Sequence, residues 1–414
     1  MVGRQGRRGQ RTSGGSRTPP AESRPVAGRP SLDALVDATP ATRDRVVDFL
    51  RAASICVVVL WHWSLSITHW GGEYALVMPN PIGDVPGKWA ATWVLQVMPV
   101  FFFVGGYANL AGWEAVTRDG GGAARFLGAR TRRLLTPLLP FLAIWMVFDL
   151  VVQATGRRSV LEWGMVVFVP LWFIGVYAGV VAAVPLTARL HRAWGWRVPA
   201  VLAAAVLAAD FLRLGPGWGG PAPALVGSAC VWLFCHQLGY FWRDGRLTAG
   251  GWPLAAAVAA AGFTGLVILT TFGPYSRSMV AVQGEEISNM FPTTAPIAAL
   301  ATFQIGLVML ARPGLNAWLQ RRGPWRVVVA ANGVTMPVFT WHMTALVAFV
   351  WLYERAGFAL SREATAAWWL TRPVWIVGPG LLLAGLLAVM VGSRLTVRRL
   401  LQSGRRRGSR TSPP

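Results

Sequence analysis

Acids and cysteines are scarce in this chain. Of its 414 residues only 14% are charged, 17 of them Asp or Glu, and there are five histidines and three cysteines. No His, Cys, Asp and Glu spacing matches a metal site, no glycine-rich phosphate loop follows a strand, and no internal repeat is visible. Neither a metal nor a bound cofactor is therefore expected. Cys56, Cys230 and Cys235 all fall inside apolar stretches. Cys230 and Cys235 are five apart on one helix and point in different directions, so no disulfide is expected between them. Also missing are the short alternating runs into which a soluble domain breaks its apolar residues, which excludes that class.

What the chain has instead is apolar length. Its residues are 54% hydrophobic, gathered into blocks of the roughly 17 to 25 residues that cross a bilayer as a helix. Ten such blocks lie at about 46–67, 90–113, 134–154, 164–187, 198–213, 223–242, 252–272, 295–311, 327–352 and 373–393. The fifth and eighth are the shortest, and the fifth carries Asp210. The 39 Lys and Arg residues test the count, because cytoplasmic loops collect them. With the loops assigned alternately to two sides, 30 fall on the side that holds both termini and 8 on the other. The expectation is an all-α, polytopic transmembrane helical bundle of about ten spans, multi-pass in the cell membrane, with both termini cytoplasmic. A formal net charge of +22 would suit nucleic acid, but topology already accounts for almost every arginine, so the lipid bilayer is the expected partner and no nucleic acid is. Residues 1–42 are rich in Arg, Gly, Ser and Pro and read as a disordered basic tail. The transmembrane domain spans 43–395, and 396–414 form a basic C-terminal tail. The first apolar block starts too far from Met1 and is too long for a secretory signal, so it is read as a span.

Ionisable groups inside spans are expensive unless they face a cavity or a partner, and they are the functional candidates. They are Asp48, Arg51, His62, Asp149, Asp210, His236 and His342. Arg51 and His62 are eleven apart, within about 20° of three helical turns, so they share one face about 16 Å apart along the axis. Together they indicate a polar tunnel along the first span. In the ninth span "NGVTMPVFTWHM" places Asn332 and His342 about 80° out of register, on adjacent walls of one cavity, with Pro337 between them to loosen the helix. His236 is expected to be structural, and His69 and His191 read as solvated loop residues. After the second span, "RFLGARTRRLLTP" presents Arg125, Arg130, Arg132 and Arg133. Positive-inside topology explains most of this charge, yet Arg130 and Arg133, one turn apart, also suit a grip on phosphate or carboxylate.

In this order the pieces resemble the acyltransferase 3 family of integral membrane acyltransferases. "DFLRAASICVVVLWHW" is similar to the family's opening helix, with arginine and histidine at Arg51 and His62. "MPVFFFVGGY" resembles its Phe-Phe run before Ser-Gly-Phe, with Gly105 where serine is usual and Tyr107 where phenylalanine is usual. "RTRR" at Arg130–Arg133 matches the arginine pair, and "PLWFIGVY" and "VFTWHM" look like later family segments. The resemblance covers residues 43–395. It implies transfer of an acyl group, often acetyl, from cytoplasmic acyl-CoA as co-substrate to a hydroxyl of a glycan, lipid or small-molecule acceptor. His62 would be the catalytic residue. Arg51, Arg130 and Arg133 would hold the donor, and Asn332, His342, Tyr177 and Trp172 would be further substrate-binding residues. The Trp-Ser-Leu segment and following glutamate that many members carry are missing, leaving Tyr177 and Trp172 as the polar features there. Within the outer loop 273–294, Glu285, Glu286 and Asn289 are candidate acceptor contacts. The alternative reading is a secondary transporter or flippase with a midplane polar site.

Overall fold

The computed structural model describes residues 31–72, 75–83, 86–215, 220–282, 285 and 287–408, with side chains to 392. In chain order its helices are α1 (Leu32–Asp37), α2 (Arg45–Ser64), α3 (Trp89–Leu95), α4 (Met98–Arg118), α5 (Ala123–Ala154), α6 (Val160–Trp163), α7 (Val169–Ala182), α8 (Val184–Trp194), α9 (Arg197–Leu214), α10 (Pro221–Arg243), α11 (Arg246–Ala249), α12 (Gly251–Phe272), α13 (Ala295–Leu319), α14 (Arg322–Arg355), α15 (Ala366–Leu370) and α16 (Arg372–Gly408). The described strands, β1 (His69–Gly71) and β2 (Ala75–Val77), form one small antiparallel hairpin. Among the described residues, nine helical segments are long and apolar enough to cross a membrane. They bear bulky apolar residues on their outer faces, as Leu139, Met146, Val147 and Leu150 do on α5, because lipid rather than water is their solvent.

The stretch expected as the fifth span, α9, is helical but carries Arg197, Asp210 and Arg213, and it is not among the nine. The packing of α2 on α14 nevertheless requires a crossing there. Their paired residues rise together, Arg51 with Asn332 and His62 with His342, so the two helices run parallel. Six candidate spans lie between them, and six crossings would make them antiparallel. At 18 residues, or about 27 Å, α9 supplies the missing one. Its acid is satisfied inside the bundle, where Asp210 accepts from Tyr275 Oη at 2.9 Å and from the Ala295 amide at 2.8 Å. Burial, and then this carboxylate, push the Tyr275 phenol well above its ordinary value.

Three local expectations change. The second span is broken: α3 ends at Leu95, and Gln96 sits at the break before α4. Such a gap is tolerable at membrane depth only if its polar groups are met by protein. Here Gln304 Nε2 donates to the carbonyls of Trp93 and Gln96, both at 3.0 Å, and Gln96 Nε2 donates to that of Met279 at 3.1 Å. The basic segment before the third span is not a loop, since α5 starts at Ala123 and carries Arg125 to Arg133 as helix. Finally, residues 31–42, assigned to a disordered tail, contain α1, which docks on α14. Val36 is buried, Arg322 pairs with Asp37 at 2.8 Å, and Trp325 Nε1 donates to Thr39 Oγ1. The basic residues of 1–30 and 409–414 lie outside the described residues.

The centre of the bundle is the crossing of α4 and α10. A Cβ on Gly106 would lie 1.9 Å from the His236 carbonyl oxygen, and one on Gly239 would lie 2.0 Å from that of Phe103. Two helix backbones can come this close only through residues without side chains. The crossing brings the Phe-Phe run against α10, where Phe102 stacks on Trp232 and Phe103 on Trp242.

Candidate active site

Two polar levels join α2 to α14. At the first, Arg51 donates from Nε and Nη2 to Asn332 Oδ1 at 2.9 and 2.6 Å, and Asp48 Oδ1 lies 3.3 Å from the same Nη2. Asn332 is fixed in turn, because its Nδ2 donates to the Asp48 and Val328 carbonyls. At the second level His62 Nδ1 meets His342 Nε2 at 2.8 Å, with the rings nearly parallel.

The proton positions of this pair follow from its surroundings. His342 Nδ1 lies 2.7 Å from the Phe339 carbonyl oxygen, which can only accept, so Nδ1 carries hydrogen. In a neutral imidazole the other nitrogen, His342 Nε2, is then an acceptor. The hydrogen between the rings therefore belongs to His62 Nδ1, which leaves the lone pair of His62 on Nε2. That nitrogen has no protein partner among the described residues. His342 is fully buried, and Trp63 Nε1 holds its backbone carbonyl at 3.1 Å.

His62 lines a cavity of about 390 Å³ together with Trp172, Phe173, Phe339 and the broken segment at Gln96. Arg51 lines a separate, narrower cavity of about 100 Å³ with Arg130, Arg133, Tyr177 and Asn332. Arg133 also faces a shallower depression of about 440 Å³ that includes Arg132. The single tunnel expected along α2 is thus two chambers. Phe101, on the arginine side, meets Phe173 edge to face at a centroid separation of 5.0 Å, and Phe173 meets Phe339 at 5.2 Å. These rings form the partition.

Most of the residues expected at the site converge, with corrections. Arg51, Arg130, Arg133, Asn332 and Tyr177 share the narrow chamber, and Trp172 joins His62. His342 lines neither chamber and stands behind His62, its Nε2 on His62 Nδ1. Arg130 and Arg133 do not form a symmetrical fork. Arg130 Nη2 donates to the Ala108 carbonyl at 2.9 Å in space left open by Gly112, while Arg133 is exposed. Gly105, in the usual serine position, faces α7. Its missing side chain leaves room for the Tyr177 ring, 3.1 Å from where a Cβ would stand. Pro337 leaves α14 continuous. Asn289 is a strut inside the 273–294 loop, with Nδ2 donating to the carbonyls of Ser276 and Ser278, and Glu286 lies outside the described residues.

Two histidines were misplaced by their sequence context. His191 is buried in α8 between Gln237 Nε2 at 2.9 Å and Asp244 Oδ2 at 3.0 Å, and burial pushes its imidazole down against the pull of Asp244. His69 is half-buried in β1. His236 is buried, as a structural residue should be, with Nε2 3.1 Å from Asn109 Nδ2. The same Asn109 Nδ2 lies 3.2 Å from Tyr177 Oη, so Asn109 backs the arginine chamber. Its local sequence, unlike that of Asn332 ten residues before His342, carries no spacing to another polar group that marks it out. Phe101, Phe173 and Phe339 fall inside the quoted strings MPVFFFVGGY, PLWFIGVY and VFTWHM, but nothing in those strings tells a partition from ordinary core.

The helical bundle is that of a membrane acyltransferase: the model of the acyltransferase domain matches residues 44–394, nearly the whole chain. By that match the chain belongs to the acyltransferase 3 family, as its ordered motifs indicated. No curated protein and no solved structure matches the chain.

Proposed function

We propose that the protein takes an acyl group, acetyl in the first instance, from acyl-CoA on the cytoplasmic side of the cell membrane and delivers it to a hydroxyl of a glycan, lipid or small-molecule acceptor. The observation that carries this reading is the His62–His342 pair, whose tautomers leave His62 Nε2 as an open proton acceptor on the larger chamber. The arrangement has the logic of a base held by an orienting partner. The acceptor hydroxyl gives its proton to His62 Nε2 as its oxygen forms a bond to the thioester carbonyl carbon. When the tetrahedral adduct collapses, the carbon–sulfur bond breaks and the departing thiolate takes the proton back. The donor's phosphates belong with Arg133 and Arg132 at the outer depression and with Arg51 and Arg130 in the narrow chamber, where guanidinium groups match phosphate oxygens. From there the thioester reaches His62 past the phenylalanine partition, a distance of about three helical turns. The basic loops favour placing the arginine end and both termini in the cytoplasm.

The test uses the full chain in detergent or vesicles with labelled acetyl-CoA and a panel of hydroxyl acceptors. His62→Gln is expected to abolish transfer while the protein stays folded and binds acyl-CoA. Full turnover by that variant would remove His62 from the chemistry. Solute uptake by the wild type without any acyl transfer would favour the transporter reading.

A further inference from the structure

A further pocket lies at the end of the bundle where α2 and α14 terminate, separate from both chambers and from the depression at Arg133. It has a volume of about 170 Å³, and Thr68, Tyr353, Ser361, Trp368, Arg372 and Trp375 are among its walls. Such a volume is on the order of ten times what one water needs. Arg372 opens α16 and is only 7% exposed. Its guanidinium lies over the Trp368 ring at 3.8 Å and near that of Trp375 at 4.8 Å. Two of its nitrogens are used, Nε on the Trp368 carbonyl at 2.9 Å and Nη2 on Thr371 Oγ1 at 3.2 Å. The third, Nη1, is buried and has no partner, and the same is true of Thr68 Oγ1.

An arginine is always charged, and a charge this deeply enclosed normally has a counter-ion. Among the described residues Arg372 has no carboxylate partner. Glu354, next in the chain to the wall residue Tyr353, accepts from the Trp70 indole at 2.9 Å instead. The indole faces offset part of the missing charge, but they offer nothing to Nη1 or to Thr68 Oγ1. Arg372 and Thr68, each with an unpaired buried polar atom, both line this one cavity, and a cation beside a hydroxyl is the complement of an oxyanion.

We infer that the Arg372 pocket is an anion-binding site that takes a carboxylate or phosphate group, with Arg372 Nη1 and the Thr68 hydroxyl as its donors. It stands independently of whether His62 is the base. The group can come from a soluble acidic sugar or phosphate, or from the headgroup of an anionic lipid.

The experiment measures thermal unfolding of the full chain in neutral detergent, titrated with glucuronate or inorganic phosphate, with glucose and equal-ionic-strength chloride as controls. A parallel arm compares nanodiscs of phosphatidylglycerol with nanodiscs of phosphatidylcholine. A saturable rise in unfolding temperature with glucuronate or phosphate, but not with glucose or chloride, is expected if the source is soluble. A rise confined to phosphatidylglycerol identifies the headgroup. With coenzyme A present to fill the arginine chamber, Arg372→Gln is expected in either case to weaken the response at least tenfold and Thr68→Val several-fold. No anion response in any arm, or an unchanged response in Arg372→Gln, overturns the site. If Arg372→Gln does not fold, Thr68→Val decides, and unchanged anion affinity in that variant is equally fatal.

Discussion

The hydrogen bond that sets the His62 tautomer can be removed with its ring stack left in place. His342→Phe keeps an aromatic ring parallel to His62, where the native centroids are 5.2 Å apart, but deletes the Nε2 acceptor 2.8 Å from His62 Nδ1. The Nδ1–H is then a buried donor without a partner, a cost of about 1–3 kcal/mol. Moving the proton to Nε2, or turning the ring, relieves that cost, and either change costs the chamber its lone pair. The reactive arrangement is disfavoured by the same amount, so kcat should fall roughly 5- to 150-fold. That does not exceed the factor of about 10² to 10⁴ that a general base supplies altogether. The KM for acyl-CoA should hardly move, because the arginine chamber lies three turns away. His342→Gln retains a carbonyl oxygen and should recover part of the loss. In wild type and variant alike the rate should fall as pH falls through the His62 titration, because imidazolium has no lone pair to accept the acceptor's proton. Initial rates against acyl-CoA at saturating acceptor, with an unfolding temperature for each variant, make the measurement. A folded His342→Phe protein with kcat within about twofold of wild type would show that His342 does not set the tautomer.

Arg133→Gln should raise the KM for acyl-CoA about tenfold, the scale of one charge-assisted hydrogen bond, and the difference should shrink at high salt because Arg133 is exposed. Arg130→Gln should cost less in donor affinity, since part of its guanidinium is already committed to Ala108; equal effects would mean that the Ala108 contact does not limit its grip on the donor. Phe173→Leu thins the partition between the chambers and should increase acyl-CoA hydrolysis measured without acceptor, while an unchanged rate would show that the rings do not gate the thioester. Gly106→Val drives a side chain into the α10 backbone and should destabilise the protein by about 1–3 kcal/mol or more, read as a lower unfolding temperature in detergent; a native-like value would contradict the α4–α10 contact.

The span pattern was legible because bilayer thickness imposes a length on every crossing helix, and the eleven-residue step from Arg51 to His62 because helical period alone aligns them. The family motifs were legible as ordered local strings. Their limits show where local reading fails. His191 looked solvated because a histidine between spans has no neighbours in sequence to say otherwise, yet Gln237 and Asp244 from α10 and its end enclose it. Gln96 gave no sign of a helix break, because the carbonyls that the break frees are met by Gln304, more than 200 residues away.

By itself the sequence determined that this is a helical membrane bundle, that a histidine and an arginine share one face of its first span, and that most of its arginines lie between the apolar blocks and in the tails. These are properties of composition, period and charge, which need no partner to be defined. Tertiary structure alone decided that His342 is the neighbour of His62 and not a wall of the cavity, since a tautomer depends on which carbonyl and which nitrogen come within hydrogen-bond reach. It also decided that the polar face is cut into two chambers by three phenylalanines from α4, α7 and α14. Nothing in a phenylalanine's local sequence distinguishes packing in a core from closing a passage, because the difference lies in which side of the ring is left empty.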